Sequence, residues 1–290
     1  MKTASDYNQE GVELASGGDT VAAEARYRKA IEINPAWSVP WYNLGLLYKG
    51  QRRWDEAFDS NKRAASLDRS DEAAWWNLGI AATACGKWKD ARVAWTAVGI
   101  SMPPGIGLPH MDLGLIPIRI NPDGDAEVVW CNRIDPARAV IKSVPLPQSN
   151  RRYGDLLLHD GTANGYRLVG DKELPVLDEL QLLAESEFGT YRIRVVAGEA
   201  DATALIERAE EAGLAGEDWS SLRFLCKECS EGKPYGQHQH LAPDEGPERG
   251  IGIAATCRQE VQDLASEWIQ TRPDCEVIDI ECMIEPVSVQ

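Results

Sequence analysis

The chain is predicted to be a multi-domain α and α+β protein. Three helical hairpins stack as an α-solenoid over residues 1–104, a small antiparallel β barrel or sheet covers 105–188, and an α+β domain of order β-α-β-β-α-β covers 189–290. Three observations predict this. A pattern of large and small residues returns every 34 residues in the first third, which is the mark of a helical repeat array. Beyond the Pro/Gly-rich stretch Met102-Pro103-Pro104-Gly105, the apolar spacing changes from helical to alternating. In the last hundred residues, strand-like and helix-like runs take turns.

The repeat is read directly from the residues. Trp41-Tyr42-Asn43-Leu44-Gly45-Leu46-Leu47-Tyr48 returns as Trp75-Trp76-Asn77-Leu78-Gly79-Ile80-Ala81-Ala82, and Tyr7, Glu10, Gly11 and Leu14 stand in the same places one unit earlier. The second half of the unit recurs as Ala23, Tyr27, Ala30, then Ala57, Asn61, Ala64, then Ala91, Trp95, Val98. Pro35 and Pro103 close the first and third units, with Arg69 where the second would have its proline. Small Gly11, Gly45 and Gly79 are expected to let each first helix approach Ala23, Ala57 and Ala91 on the second. Gly17-Gly18, Gly50 and Gly86 break the chain between helices.

These positions resemble three tetratricopeptide repeats over roughly residues 4–104. The resemblance implies antiparallel helix pairs in a right-handed superhelix, with a concave face, lined by the first helices, that holds a partner's peptide segment. Carried over residue by residue, the partner-binding positions are Asn8 and Val12, then Val39, Tyr42, Leu46 and Lys49, then Trp76 and Ile80. Trp41, Trp75 and Trp95 fall on signature positions and are expected in the core. Tyr42 and Trp76 do not, so they either receive a partner or are covered by the chain's own second half. The subfamily that clamps a chaperone's C-terminal carboxylate uses Lys, Asn and Arg on this face. Here its basic places hold Val12, Ala73 and Asn77, which argues against that ligand.

In the middle segment, residues 115–120 and 126–131 alternate about the turn Asn121-Pro122-Asp123-Gly124 and read as a hairpin. Further strands are expected at 137–144, 155–159 and 166–169, the last two separated by a turn at Asp160-Gly161-Thr162-Ala163-Asn164-Gly165. Residues 177–186 read equally as a short helix or a final strand. Asp155, His159 and Asp160 are the first candidates for acid/base chemistry, but one His beside Asp without a recognisable nucleophile is a weak constellation.

The last segment gives strands at 191–196, 221–226, 250–255 and 276–282, with helices begun by Asp201 and by a capping box at Thr256-Cys257-Arg258-Gln259. That order resembles ferredoxin-like domains, a fold that hosts many functions. Between its central strands lie Cys226-Lys227-Glu228-Cys229 and His238-Gln239-His240. Two thiolates and two imidazoles complete a tetrahedral zinc shell with no position left for water, so the expected cofactor is structural zinc. The alternative is a polar hairpin loop without metal.

Composition narrows the function. The formal net charge is −16, and residues 1–104 hold 13 basic and 13 acidic side chains, so the whole excess falls in the rest. A phosphate backbone would be repelled there, which argues against nucleic acid and favours a basic partner. No apolar run approaches the roughly 20 residues of a membrane span, and the first residues lack the apolar stretch of a secretory signal. Seven cysteines, an odd number widely spaced, fit reduced thiols. The sequence therefore predicts a cytoplasmic, non-enzymatic adaptor that binds a protein or peptide, of inhibitor or immunity type for a basic partner. A zinc-binding protein is the alternative.

Overall fold

Thr3 accepts the Asp6 N–H on its hydroxyl, while the Asp6 carboxylate accepts the Thr3 N–H at 2.7 Å; this reciprocal cap starts the first helix. Asp19 and Asp71 cap later helices in the same way, each accepting an N–H three residues on at 3.0 Å. In the computed structural model, which describes residues 1–220 and 248–287, the chain forms two units, Met1–Met111 and Asp112–Gln290.

The first unit holds α1 (Ala4–Ser16), α2 (Thr20–Ile33), α3 (Ser38–Gly50), α4 (Trp54–Leu67), α5 (Glu72–Ala84) and α6 (Trp88–Ala97). Consecutive helices pack as hairpins, and the odd-numbered ones also touch, α1 on α3 and α3 on α5. The glycines permit the close approach, though not against the expected residues. A Cβ on Gly11, Gly45 or Gly79 would stand 2.6, 2.5 and 2.6 Å from Tyr27, Asn61 and Trp95. Ala23, Ala57 and Ala91 are fully buried one helical turn earlier, so the larger side chain reaches over the glycine. Of the three signature tryptophans, only Trp95 is fully buried. Trp41 and Trp75 are half-buried, and their indole N–H groups donate to Pro35 O and Arg69 O at 3.2 and 3.1 Å. The bond thus keeps the 34-residue period even where Arg replaces Pro.

The second unit opens with a closed barrel of β1 (Leu115–Ile120), β2 (Glu127–Arg133), β3 (Arg138–Ile141), β4 (Leu156–Val169) and β5 (Lys172–Ala184). Neighbours are antiparallel, and a parallel pairing of β1 with β5 closes the ring. Ile116, Ile118 and Ile120 alternate inward onto Val129, Cys131, Ile141 and Leu157. Asn121 takes a φ of 48° at the first turn, and Gly124 N–H closes it onto Asn121 O at 2.9 Å.

Residues 155–159 and 166–169 do not form two strands. They belong to the single long β4, whose register against β5 shifts around His159, Ala163 and Tyr166. The Asp160–Gly165 segment, numbered 160–165, therefore bulges the strand instead of ending it. Residues 177–184 are strand, not helix.

A four-stranded antiparallel sheet of order β7-β8-β6-β9 follows, from β6 (Gly189–Val196), β7 (Ala215–Asp218), β8 (Glu248–Ala255) and β9 (Glu276–Ile284). Helices α7 (Glu199–Glu211) and α8 (Arg258–Gln270) pack Leu205, Ala209, Val261, Leu264 and Trp268 on Tyr191, Ile193, Val195, Ile251 and Ile253. The N-cap of α7 is Gly198, so Asp201 lies in its first turn and does not start it. At α8 the Glu260 carboxylate accepts the Thr256 and Cys257 N–H groups at 2.8 and 3.2 Å. A strand not anticipated lies at Ala215–Asp218; the one anticipated at 221–226 lies outside the described residues.

Candidate functional site

The spacing of Val39, Tyr42, Leu46 and Lys49 puts all four on one side of α3, and Asn8/Val12 and Trp76/Ile80 repeat the i, i+4 step on α1 and α5. Helix α3 touches both of the other helices. Asn43 donates to Asn8 Oδ1 at 3.0 Å and ties α1 to α3; Asn8 is itself buried. Val12, Val39 and Leu46 are 36%, 39% and 42% exposed, high values for apolar side chains of this size. Tyr42 and Trp76 are half-buried. Ile80 and Lys49 are buried, so neither offers more than an edge to an incoming chain.

Trp76 is held edge-on to Trp95, ring centroids 5.2 Å apart at 75°. Its Nε1 is buried without an acceptor among the described residues. Lys49 is the sole charge among the eight side chains, so the face is apolar with amide and indole polarity. What such a surface does chemically is to bury another apolar surface.

The acid/base candidates serve the fold. Asp155 is buried and its carboxylate accepts the Arg152 and Ser186 N–H groups, both at 2.8 Å, which pins two loops. His159 is fully buried; Nδ1 lies 2.8 Å from Asp160 O, and burial holds its pKa below the ordinary value. Burial likewise raises the thiol of half-buried Cys85 to about 11 and that of buried Cys131 further. Cys257 is exposed, while Cys275 and Cys282 are partly covered. Cys226, Cys229, His238 and His240 lie outside the described residues. Among the described residues no group of three or more His, Cys, Asp or Glu could hold a metal ion, and no helix is long and apolar enough to cross a membrane.

A cleft elsewhere was not foreseen from the sequence. A cleft of about 530 Å³ in the second unit is walled by the turn around Gly124–Glu127, numbered 124–127, by Leu146 and Pro147, and by Arg192, Trp219 and Met283. Its walls come from six separated stretches, which no local pattern links. The sequence signal was limited to Glu127, an acid opening an apolar strand.

No protein-family profile matches the chain. The uncharacterized protein MJ0572 of Methanocaldococcus jannaschii is 32% identical to it over 69 residues, which are 24% of this chain and 80% of that protein. Among solved structures, the second and first TPR domains of Spaghetti (RPAP3), each bound to the HSP90 peptide SRMEEVD, are 24% and 23% identical, both at a TM-score of 0.32. Each covers 33% of this chain, which spans 90% and 76% of theirs. The Sgt2 TPR domain from Aspergillus fumigatus is 22% identical at a TM-score of 0.31, with 33% and 63% covered.

Proposed function

We propose a partner-binding role for this chain, which belongs to one family with MJ0572 and carries three tetratricopeptide repeats over residues 4–97. It is a non-enzymatic adaptor whose α1, α3 and α5 face takes an apolar segment of another protein. The observation that carries this reading is the run of exposed Val12, Val39 and Leu46 beside half-buried Tyr42 and Trp76, on a face nearly free of charge. Asn8, Lys49 and Ile80 frame it. The acidic peptide bound by the Spaghetti domains is a poor ligand here, because Val12, Ala73 and Asn77 occupy the places where cations would meet its carboxylates.

The acidic remainder of the chain, net −16, favours a partner that also carries basic surface, as an inhibitor or immunity-type protein would need. The compartment proposed is the cytoplasm. A photo-crosslinking amino acid placed at Leu46 or Val39 should capture the partner through an apolar stretch. Leu46→Asp and Tyr42→Ala should each weaken its binding by about tenfold or more in titration, the loss of a buried anchor. Undiminished affinity in both variants refutes the groove.

For the C-terminal loop we propose a closed structural zinc shell of Cys226, Cys229, His238 and His240, supported by residue type and spacing. Purified protein should carry about one zinc per chain, lost in Cys226→Ser/Cys229→Ser. Zinc-free protein, or zinc retained in that double variant, removes the proposal.

A further inference from the structure

The link after β3, residues 143–146, passes between the barrel and the four-stranded sheet and is gripped from both. Val144 N–H donates to Glu217 Oε2 of β7 at 2.8 Å, and Leu146 N–H donates to Glu127 Oε2 of β2 at 3.0 Å. Trp219 Nε1 adds a third bond to Val144 O at 2.8 Å. Around these bonds Val144, Ala215, Trp219 and Ala254 form an apolar cluster, with Leu146, Tyr153, Phe188 and Met283 against it. One short link is thus held by a carboxylate from each side in apolar surroundings.

The charged group that faces both carboxylates is Arg167 of β4, which also donates to Val128 O at 3.1 Å; the Ser143 hydroxyl faces Glu217 as well. Among the described residues, one guanidinium against two carboxylates leaves an excess negative charge in a partly covered, apolar-lined place if both acids ionise. Burial first, then the Glu217 charge, pushes the Glu127 carboxyl up to about 7, against the pull of Leu146 N–H and Arg167. Burial also pushes Glu217 up, against Val144 N–H, the Ser143 hydroxyl and Arg167.

We propose that Glu127 and Glu217 hold one proton between them while the joint is closed, and that parting of barrel and sheet at residues 144–146 releases it. An ionised carboxylate accepts a stronger bond from an N–H, but the cost of two partly covered like charges against one guanidinium outweighs that gain, and separation with hydration relieves it. Acid therefore tightens the joint and alkali loosens it. Glu127, Leu146 and Trp219 also line the 530 Å³ cleft, so the same proton sets how wide that cleft stands. The inference is independent of the helical groove.

Amide hydrogen exchange at Val144 and Leu146 in the full chain tests it, read as an opening equilibrium after division by the intrinsic exchange rate. The closed joint keeps the Glu127 proton up to about 7, whereas an opened, hydrated carboxyl loses it near the ordinary 4.5. Opening should therefore rise by up to about tenfold per pH unit from about pH 5 to about 7 and level off above. Glu127→Gln, which keeps an acceptor for Leu146 N–H, should flatten that rise, and Glu217→Gln, which removes the neighbouring charge but not the burial, should reduce it, so either variant that folds decides. A pH-independent opening in the wild type, or an unchanged slope in the Gln variants, overturns the proposal.

Discussion

Trp95 lies 2.6 Å from the point where a side chain on Gly79 would begin, so the third hairpin closes only because that side chain is missing. Gly79→Ala should cost about 1–3 kcal/mol, because the indole must leave a well-packed position. Gly50, at the exposed end of α3 with nothing within 4 Å of its virtual Cβ, is the control. There alanine should be neutral or stabilising by up to about 1 kcal/mol, since it only narrows the unfolded ensemble. Urea unfolding of the two variants separates the cases, and equal destabilisation would show that packing at Trp95 is not the cause. Asn61 occupies the same place in the second hairpin: its Nδ2 bonds Ala57 O at 2.8 Å, while Oδ1 is buried without a partner among the described residues. An amide has replaced a ring there, and one of its two polar atoms is left unsatisfied, as is the Trp95 indole N–H in the third hairpin.

At the scale of elements, what the sequence made legible follows from how far the governing contacts reach. The helical hairpins announce themselves because Gly11/Tyr27, Gly45/Asn61 and Gly79/Trp95 are local pairs repeated at one period. Strand β1 is legible because Ile116, Ile118 and Ile120 alternate cleanly against one core. Strand β4 is not. Its Asp160-Gly161 and Asn164-Gly165 pairs have turn chemistry, and only pairing with β5, through shifted registers, keeps the chain extended across them.

The bend between β2 and β3 hides a similar case. Asp135 reads as an ordinary polar turn residue, yet it is fully buried and accepts the Ala137 and Arg138 N–H groups at 2.8 and 2.7 Å and Arg138 Nε at 2.6 Å. The repeat register gives a position's face on its helix but not its depth: Leu46 stays exposed while Ile80 is buried. Depth depends on neighbours that the register does not specify.

Among the described residues, His159 and Glu127 should pull the pH response in opposite directions, with Glu217 and Asp155, also pushed up by burial, acting on the side of Glu127. Unfolded, His159 takes a proton near 6.5; folded, burial holds its pKa lower, so its contribution is present above 6.5 and is lost as pH falls below that. Glu127, held up to about 7 from 4.5, tilts the curve the other way, adding stability as pH falls from about 7 towards 4.5. The two overlap between about pH 5 and 6.5 and partly cancel. His159→Asn should therefore unmask a protein that becomes steadily more resistant to urea on acidification from pH 7 to about 5. If the variant's unfolding midpoints fall with acid as steeply as the parent's, His159 is not the acid-labile group.

The pairings of β6 have a consequence for a chain emerging from the ribosome. The helical hairpins need only neighbours already synthesised, so each can assemble within a few dozen residues of its start. The sheet cannot: β6 must await β8 on one flank and β9, some eighty residues later, on the other. Until translation reaches Ile284, the nascent protein displays an unzipped β6 flank beside a finished solenoid. That interval is when it is most exposed to misassociation, and a product cut short before β9 would keep its repeats while one flank of β6 stayed unpaired and adhesive.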